Sequence, residues 1–355
     1  MAIRAIKIVE VGKAAVAEVP KPELRDGYVL VKVKAVGLNP TDWKSIDRGE
    51  VVVGARSGCD YAGVVEEVGN NLGRPFKKGD RIAGFVHGAH TEKHDSGSFG
   101  EYVIAKADIA LKIPDNISDE QAATLGVSVT TVGQGLYLAL KLPLPTHPLK
   151  EPEPLLIYGG STATGIFGIQ YAKLSGLSVA ATASKHNHEY LKSLGADAVF
   201  DYKSPSCADD IKAWASGQGK KLRKAWDCIA SDASAAICAA ALSDDEEGGI
   251  YAALLPVEHD KLLAVNPKVK ESLFTLGYDA FGESYSFGKE RPGRAAELEH
   301  GRMFWGLARD LLEQGKLKTI KPSVNRGGSG LEGVLEGLAD LKEGKVTGEK
   351  LVYTL

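Results

Sequence analysis

Hydrophobic positions change their period twice along the chain. Up to about residue 110 they come in short β-branched stretches cut by Gly, Pro and Asp. Met1-Ala-Ile-Arg-Ala-Ile-Lys7 alternates like a strand and lacks the build of a signal peptide. Tyr28-Val-Leu-Val-Lys-Val-Lys-Ala-Val36 follows the turn signal Asp26-Gly27, and Asp60–Val68, Arg81–Val86 and Gly100–Ala105 are similar. Short, punctuated strands predict a compact β-barrel-like domain. His87–Ser98 reads as a polar loop.

From Ser118 the pattern turns helical. Ser118-Asp-Glu-Gln121 fits a capping box, with helix expected through Leu125 and again over Val129–Leu140. Five prolines between Pro143 and Pro154 predict an extended connector. An alternating series then begins. Strands are expected at Leu155–Tyr158, Ser178–Thr182, Ala198–Asp201, Lys224–Ile229 and Gly249–Leu255. Helices are expected near 165–175, 186–194, 207–216 and 233–242. Such alternation predicts a doubly wound parallel sheet of Rossmann type. In the tail, a helix at 295–314, a strand at Lys318–Lys321, a helix at 331–343 and a strand at Lys350–Thr354 suggest a return to the first domain.

The fold expected is therefore α/β: a barrel-like domain from 1–125 and 311–355, and a nucleotide-binding domain from 126–310. The chain has 355 residues, 44% of them hydrophobic, and a net charge of −3. That balance gives no sign of a nucleic-acid partner. Cys59, Cys207, Cys228 and Cys238 lack CxxC spacing and read as free thiols of a reducing compartment. No apolar run reaches the ~20 residues of a membrane span. A soluble, cytoplasmic protein is expected.

The stretch Leu155-Leu-Ile-Tyr-Gly-Gly-Ser-Thr-Ala-Thr-Gly165 carries the first chemistry. An apolar run ends in glycines and enters a helix, a turn that offers backbone N–H groups to an anion. Within a βαβ unit this reads as a dinucleotide pyrophosphate site. Thr162 stands at the usual second glycine, so the hydroxyls of Ser161, Thr162 and Thr164 are expected to join the N–H groups, with Ala163 between them. NAD sites place Asp or Glu after the second strand. Here Ser184, Lys185, His186 and Asn187 follow it, and this set suits a 2′-phosphate. NADPH is the cofactor expected.

Taken with Gly37-Leu-Asn-Pro-Thr-Asp-Trp-Lys44, Gly58-Cys-Asp-Tyr-Ala-Gly63, Lys78-Gly-Asp-Arg81 and Gly348-Glu-Lys-Leu-Val352, the chain resembles the medium-chain dehydrogenase/reductase superfamily. The first domain would then be GroES-like. The wording Tyr158-Gly-Gly-Ser-Thr-Ala-Thr164, with Asn39–Asp42 and Ala183–Asn187, is similar to the fungal trans-acting enoyl reductases of polyketide biosynthesis. Zinc members of the superfamily carry Cys where Asn39 stands and Gly-His-Glu where Gly58-Cys59-Asp60 stands. A catalytic zinc needs three protein ligands, and no third partner is found, so no metal is expected. His87, His90 and His94 read as solvated loop histidines.

The resemblance implies hydride addition to an activated C=C bond, with the charge spread into an enolate. It places Lys44 at the active site, binding the enolate or thioester or relaying a proton. Asn39, Pro40, Thr41 and Asp42 would meet the nicotinamide end of the cofactor, Thr41 and Asp42 at its ribose or carboxamide. Tyr202, Leu254, Leu255, Val346 and Thr347 would also contact the cofactor. Gly126, Val127, Ser128, Val129, Thr130 and Thr131 would line an acyl pocket, walled further by Phe274, Gly277 and Phe281. The implied partner is the acyl carrier domain of a polyketide synthase. Two other readings stay open: a stand-alone quinone or alkenal reductase, and a non-catalytic NADPH-binding protein. Four carboxylates in Ser243-Asp-Asp-Glu-Glu247 would repel a second sheet edge, which favours a monomer.

Overall fold

The computed structural model describes residues 2–49 and 52–355, and these form two compact units. One combines the described residues up to Thr130 with Tyr278–Leu355; the other is Thr131–Gly277. The second crossing thus comes earlier than the expected 310/311. The reason is packing: Gly301 leaves no room for a Cβ beside Ile109, Arg302 pairs with Asp108, and Trp305 Nε1 donates to Thr130 Oγ1 at 3.0 Å.

The first unit opens with an antiparallel ribbon, β1 (Ala2–Glu10) and β2 (Lys13–Pro20). Next come β3 (Tyr28–Gly37), α1 (Pro40–Ile46), β4 (Asp60–Val68), β5 (Arg81–Phe85), β6 (Tyr102–Lys106) and β7 (Ala110–Lys112). Two short helices follow, α2 (Asp119–Ala122) and α3 (Gly126–Val132). The Ser118–Gln121 capping box forms as expected.

The second unit holds β8 (Pro154–Tyr158), α4 (Ala163–Leu174), β9 (Ser178–Thr182), α5 (His188–Ser193), β10 (Ala198–Phe200) and α6 (Cys207–Gly217). It continues with β11 (Lys224–Asp227), α7 (Asp232–Ala241), β12 (Gly249–Ala253), α8 (His259–Leu263) and β13 (Val269–Phe274). The strands pair in parallel in the order β10-β9-β8-β11-β12-β13. Crossovers that start from a central β8 give this order, and the strand order reverses between β8 and β11.

The chain then rejoins the first unit through β14 (Tyr285–Phe287), β15 (Lys289–Arg291), α9 (Ala295–Glu313), β16 (Pro322–Val324), α10 (Gly330–Lys342) and β17 (Lys350–Thr354). Its large sheet runs β16-β17-β3-β4-β5-β7, with β6 also paired to β3. Val29, Val31, Val33 and Val36 of β3 join Tyr61, Val65, Leu351 and Tyr353 in one core. Each such side chain contributes roughly 1.5–3 kcal/mol by leaving water.

Three expectations are corrected. The strand placed at Lys318–Lys321 lies at Pro322–Val324 instead, where proline stands first and needs no ladder N–H. The helix expected over Val129–Leu140 is α-helical to Val132 and then π-helical over Gly133–Ala139; Gly135 there faces the Trp226 indole, where a Cβ would lie 2.4 Å from Nε1. The carboxylates at 244–247 each find a cation: Asp244 with Lys212, Asp245 and Glu247 with Arg223, Glu246 with Lys268. Repulsion at that run therefore no longer argues for a monomer. Among the described residues no helix is long and apolar enough to cross a membrane.

Candidate active site

Asn39 caps α1, and proline at the first helical position needs no N–H partner. The Asn39 N–H donates to Asp42 Oδ2 at 2.7 Å. Asn39 Oδ1 accepts from Lys350 Nζ at 2.7 Å, and the same ammonium donates to Asp60 Oδ2 at 2.6 Å. Asp60 Oδ1 accepts the Val127 N–H at 2.8 Å. The four side chains are buried. One network thus joins α1, β4, β17 and α3. Burial, helped by the Asp60 charge, pushes the Asp42 carboxyl up to about 7. Asn39 Oδ1 and Asp60 Oδ2, at the positions of zinc ligands in the zinc enzymes, are both held by the Lys350 ammonium. Among the described residues no group of three His, Cys, Asp or Glu could hold a metal ion.

Lys44 is exposed on α1, three residues beyond Thr41 and so on the same helix face. Its ammonium lies 5.7 Å from the Trp43 ring centroid. Thr41 Oγ1 hydrogen-bonds to Tyr278 Oη at 2.8 Å. Tyr278 stacks on His87, with centroids 3.8 Å apart, and His87 lies 4.4 Å from His90. His87 and His90 are therefore buried, which corrects their reading as solvated; His94 is exposed as expected. The cover comes from the aromatic segment 278–285. Burial lowers the pKa of both imidazoles, so they are neutral at pH 7. The Cys59 thiol, 4.0 Å from Tyr278 Oη, is pushed well up by burial and stays protonated, a packed thiol.

A cavity of about 20 Å³ is bounded by His87, His90, Tyr278 and Glu283, room for about one water. Glu283 accepts from Tyr28 Oη, Lys106 and Lys93. Those donors outweigh its burial and bring its carboxyl down to about 2. Phe281 packs on Phe85 at 5.0 Å.

The segment Gly126–Thr131 is mostly buried in α3. Gly126 has no room for a Cβ beside Asp60, and Thr130 Oγ1 receives the Trp305 N–H. The Ser128 hydroxyl is buried without a hydrogen-bond partner among the described residues. Thr131 belongs to the second unit.

In the second unit the β8–α4 turn is shaped by its glycines. Gly159 has φ +77°, and a Cβ on Gly165 would lie 2.4 Å from Gly159 O. Thr162 caps α4: its Oγ1 accepts the Gly165 N–H at 3.0 Å and donates to Gly159 O at 2.8 Å. The helix start leaves the Ala163 and Thr164 N–H groups without intrahelical acceptors, at the switch point of the sheet. A backbone cradle with no space for side chains, opening a helix, fits a dinucleotide pyrophosphate. Ser161 flanks it, half-buried.

Beyond β9, Ser184 Oγ donates to Tyr202 Oη at 3.4 Å; Lys185 and His186 are exposed, and Asn187 is buried. Leu254 and Leu255 follow β12. Because the strands are parallel, these residues share the carboxyl end of the sheet with the glycine turn. Phe274 ends the edge strand β13, exposed, and Gly277 opens a 3₁₀ turn. Val346 packs on the core of the first unit, and Thr347, exposed, precedes β17. The sequence reading missed the parts played by Lys350 and Tyr278. Lys350 sits in the Gly348–Val352 marker, and a lysine that opens a strand continuing Leu-Val-Tyr is a usable signal.

Residues 25–115 match the family model of the alcohol dehydrogenase GroES-like domain, and 163–275 match that of the zinc-binding dehydrogenases. The chain is 46% identical to the trans-enoyl reductase ACTTS2 of Alternaria alternata, over 99% of this chain and 98% of that one. The chain belongs to the trans-enoyl reductase family. Another member, resD of Aspergillus sclerotiorum, is 44% identical over 96% of this chain and 97% of its own. The quinone oxidoreductase of Coxiella burnetii has the same fold, with a TM-score of 0.72 at 23% identity and full coverage of both chains. This trans-enoyl reductase is thus an oxidoreductase of the medium-chain dehydrogenase/reductase fold: a GroES-like unit, a Rossmann sheet, and a nicotinamide cofactor.

Proposed function

We propose that this trans-enoyl reductase uses NADPH to saturate the α,β-double bond of an acyl thioester carried by the acyl carrier domain of a polyketide synthase. The supporting observation is the end of β9. A hydroxyl, an exposed ammonium and an amide follow the strand there, and no carboxylate stands in Ala183–Asn187 to repel a 2′-phosphate.

NADPH, when bound, supplies the hydride. Ser161, Ala163 and Thr164 hold its pyrophosphate with N–H and hydroxyl groups, and Thr162, whose N–H and hydroxyl both donate to Gly159 O, shapes the turn instead of meeting the phosphates as expected. Ser184, Lys185, His186 and Asn187 hold the 2′-phosphate, with Tyr202 beside them. Leu254, Leu255, Val346 and Thr347 contact the nicotinamide half, and Asn39–Asp42 orient its ribose and carboxamide. Lys44 stabilises negative charge on the thioester oxygen or relays a proton to the α-carbon. Gly126–Thr131, Phe274, Gly277 and Phe281 line the acyl path.

The test is turnover of enoyl-pantetheine thioesters and quinones with each nicotinamide. Enoyl thioesters should be reduced, with kcat/KM for NADPH at least tenfold above that for NADH. Turnover of quinones only would make the protein a stand-alone quinone reductase. NADPH binding without reduction of any enone or enoyl thioester would make it non-catalytic.

A further inference from the structure

Thr41 Oγ1 has one partner among the described residues, Tyr278 Oη at 2.8 Å, from a residue 237 positions along the chain. Tyr278 is 6% exposed. Its ring lies nearly parallel to the His87 imidazole, at an interplanar angle of 13°. Phe85 packs on it at 5.7 Å, Tyr285 meets it edge-on at 5.9 Å, and Phe287 lies 6.0 Å away. These four rings hold the tyrosine in one orientation and so fix the place of its hydroxyl.

A buried phenol needs an acceptor for its hydrogen. Cys59 Sγ, 4.0 Å from Tyr278 Oη, is a weak one. Thr41 Oγ1 is the near oxygen, so Tyr278 donates and Thr41 accepts. Burial pushes the Tyr278 phenol well above its ordinary pKa, so it keeps that hydrogen at neutral pH. The Thr41 hydroxyl therefore has its own hydrogen left for another partner. A threonine in a helix divides between two rotamers, because its Oγ1 can turn back to a carbonyl three or four residues earlier. Tyr278 Oη decides between them for Thr41, which is half-buried on the face of α1 that also carries Lys44.

We propose that Tyr278 is a positioning residue for the cofactor: its phenol occupies one lone pair of Thr41 Oγ1 and sets that hydroxyl as a hydrogen-bond donor to the nicotinamide ribose or carboxamide. This rests on the reading that Asn39–Asp42 orient that end of the dinucleotide. In this role Tyr278 acts only through Thr41.

Fluorescence titration of the full chain with NADPH decides this, with circular dichroism to confirm that each variant is folded. Tyr278→Phe deletes only the hydroxyl and keeps the stacked ring. Thr41→Val keeps the shape of the side chain without its hydroxyl. Each should raise Kd about five- to tenfold, as the loss of one ordinary hydrogen bond does. The double variant should bind no more weakly than Thr41→Val alone, because the two hydroxyls act as one unit. Thr41→Ser restores the hydroxyl, so it should recover most of the affinity lost in Thr41→Val, and adding Tyr278→Phe should remove that gain. NADH shares the nicotinamide end and should give the same ratios, so neither cofactor preference nor turnover of an acyl substrate enters the result. Weaker binding in Thr41→Val with wild-type affinity in Tyr278→Phe overturns the proposal and leaves the reading of Thr41 standing. Wild-type affinity in both removes that reading and the proposal with it. Effects that add in the double variant show that Tyr278 acts by another route and overturn the proposal too.

Discussion

Lys350 Nζ lies 2.6 Å from Asp60 Oδ2, and neither side chain reaches solvent. Removing one partner leaves the other charge buried. Lys350→Met should therefore destabilise the first unit by about 3–5 kcal/mol. Lys350→Met with Asp60→Leu should recover only part of the loss: both charges leave together, but the Val127 N–H and Asn39 Oδ1 lose their partners. Urea midpoints of the two variants decide it; a double variant no better than the single one would show that the pair is not the cause.

The buried Asp42 carboxyl gives stability its own pH dependence. Its pKa is raised to about 7, chiefly by burial, whereas an unfolded aspartate titrates near 3.9. Between those values the folded chain holds the extra proton, so stability falls as pH rises, on the order of 1.4 kcal/mol per unit at most. His87 and His90, with lowered pKa values, act in the opposite sense, losing stability as pH falls below about 6.5. A difference measurement separates them: wild type should lose stability relative to Asp42→Asn as pH goes from 5 to 8. A constant difference would show that Asp42 is ionised throughout.

Lys185 is exposed beyond β9 and is the only cation in Ala183–Asn187 apart from the histidine. A charge-assisted contact from it to a 2′-phosphate, as proposed, would be worth about 1.5 kcal/mol, low in the range because of exposure. Lys185→Ala should raise KM for NADPH roughly tenfold and leave KM for NADH within about twofold. Equal effects on both cofactors would place the 2′-phosphate elsewhere.

Gly165 faces Gly159 O so closely that a Cβ would lie 2.4 Å away. Gly165→Ala must push α4 from the turn and should cost about 1–3 kcal/mol. Nicotinamide binding should weaken by an order of magnitude or more. Fluorescence titration with the dinucleotide, on folded variant, checks it; unchanged affinity would mean the turn does not seat the pyrophosphate.

Five strands of the parallel sheet were legible because short β-forming runs alternate with helices and the glycine turn sits directly between β8 and α4; β13 was missed because Lys270, Glu271 and Ser272 break its apolar pattern at the sheet edge. The Ser118–Gln121 cap was legible because its logic is local. What escaped depends on distant partners. His87 and His90 lie in a polar loop, yet residues some 190 positions later bury them. Lys350 meets Asn39 and Asp60 across 311 and 290 positions. Nothing in the local wording of either segment announces the other. Lys318–Ile320 has strand-forming residues, but the pairing with β17 begins only at Pro322.

The return of the chain to the first unit sets an order on biosynthesis. All of the second unit, Thr131–Gly277, is translated before β17, the strand that lies between β16 and β3. The nucleotide-binding sheet can close on the ribosome as a contiguous piece. Meanwhile β3 lacks its β17 neighbour and Asp60 lacks its ammonium. The nascent first unit therefore holds an open strand edge until Lys350 emerges.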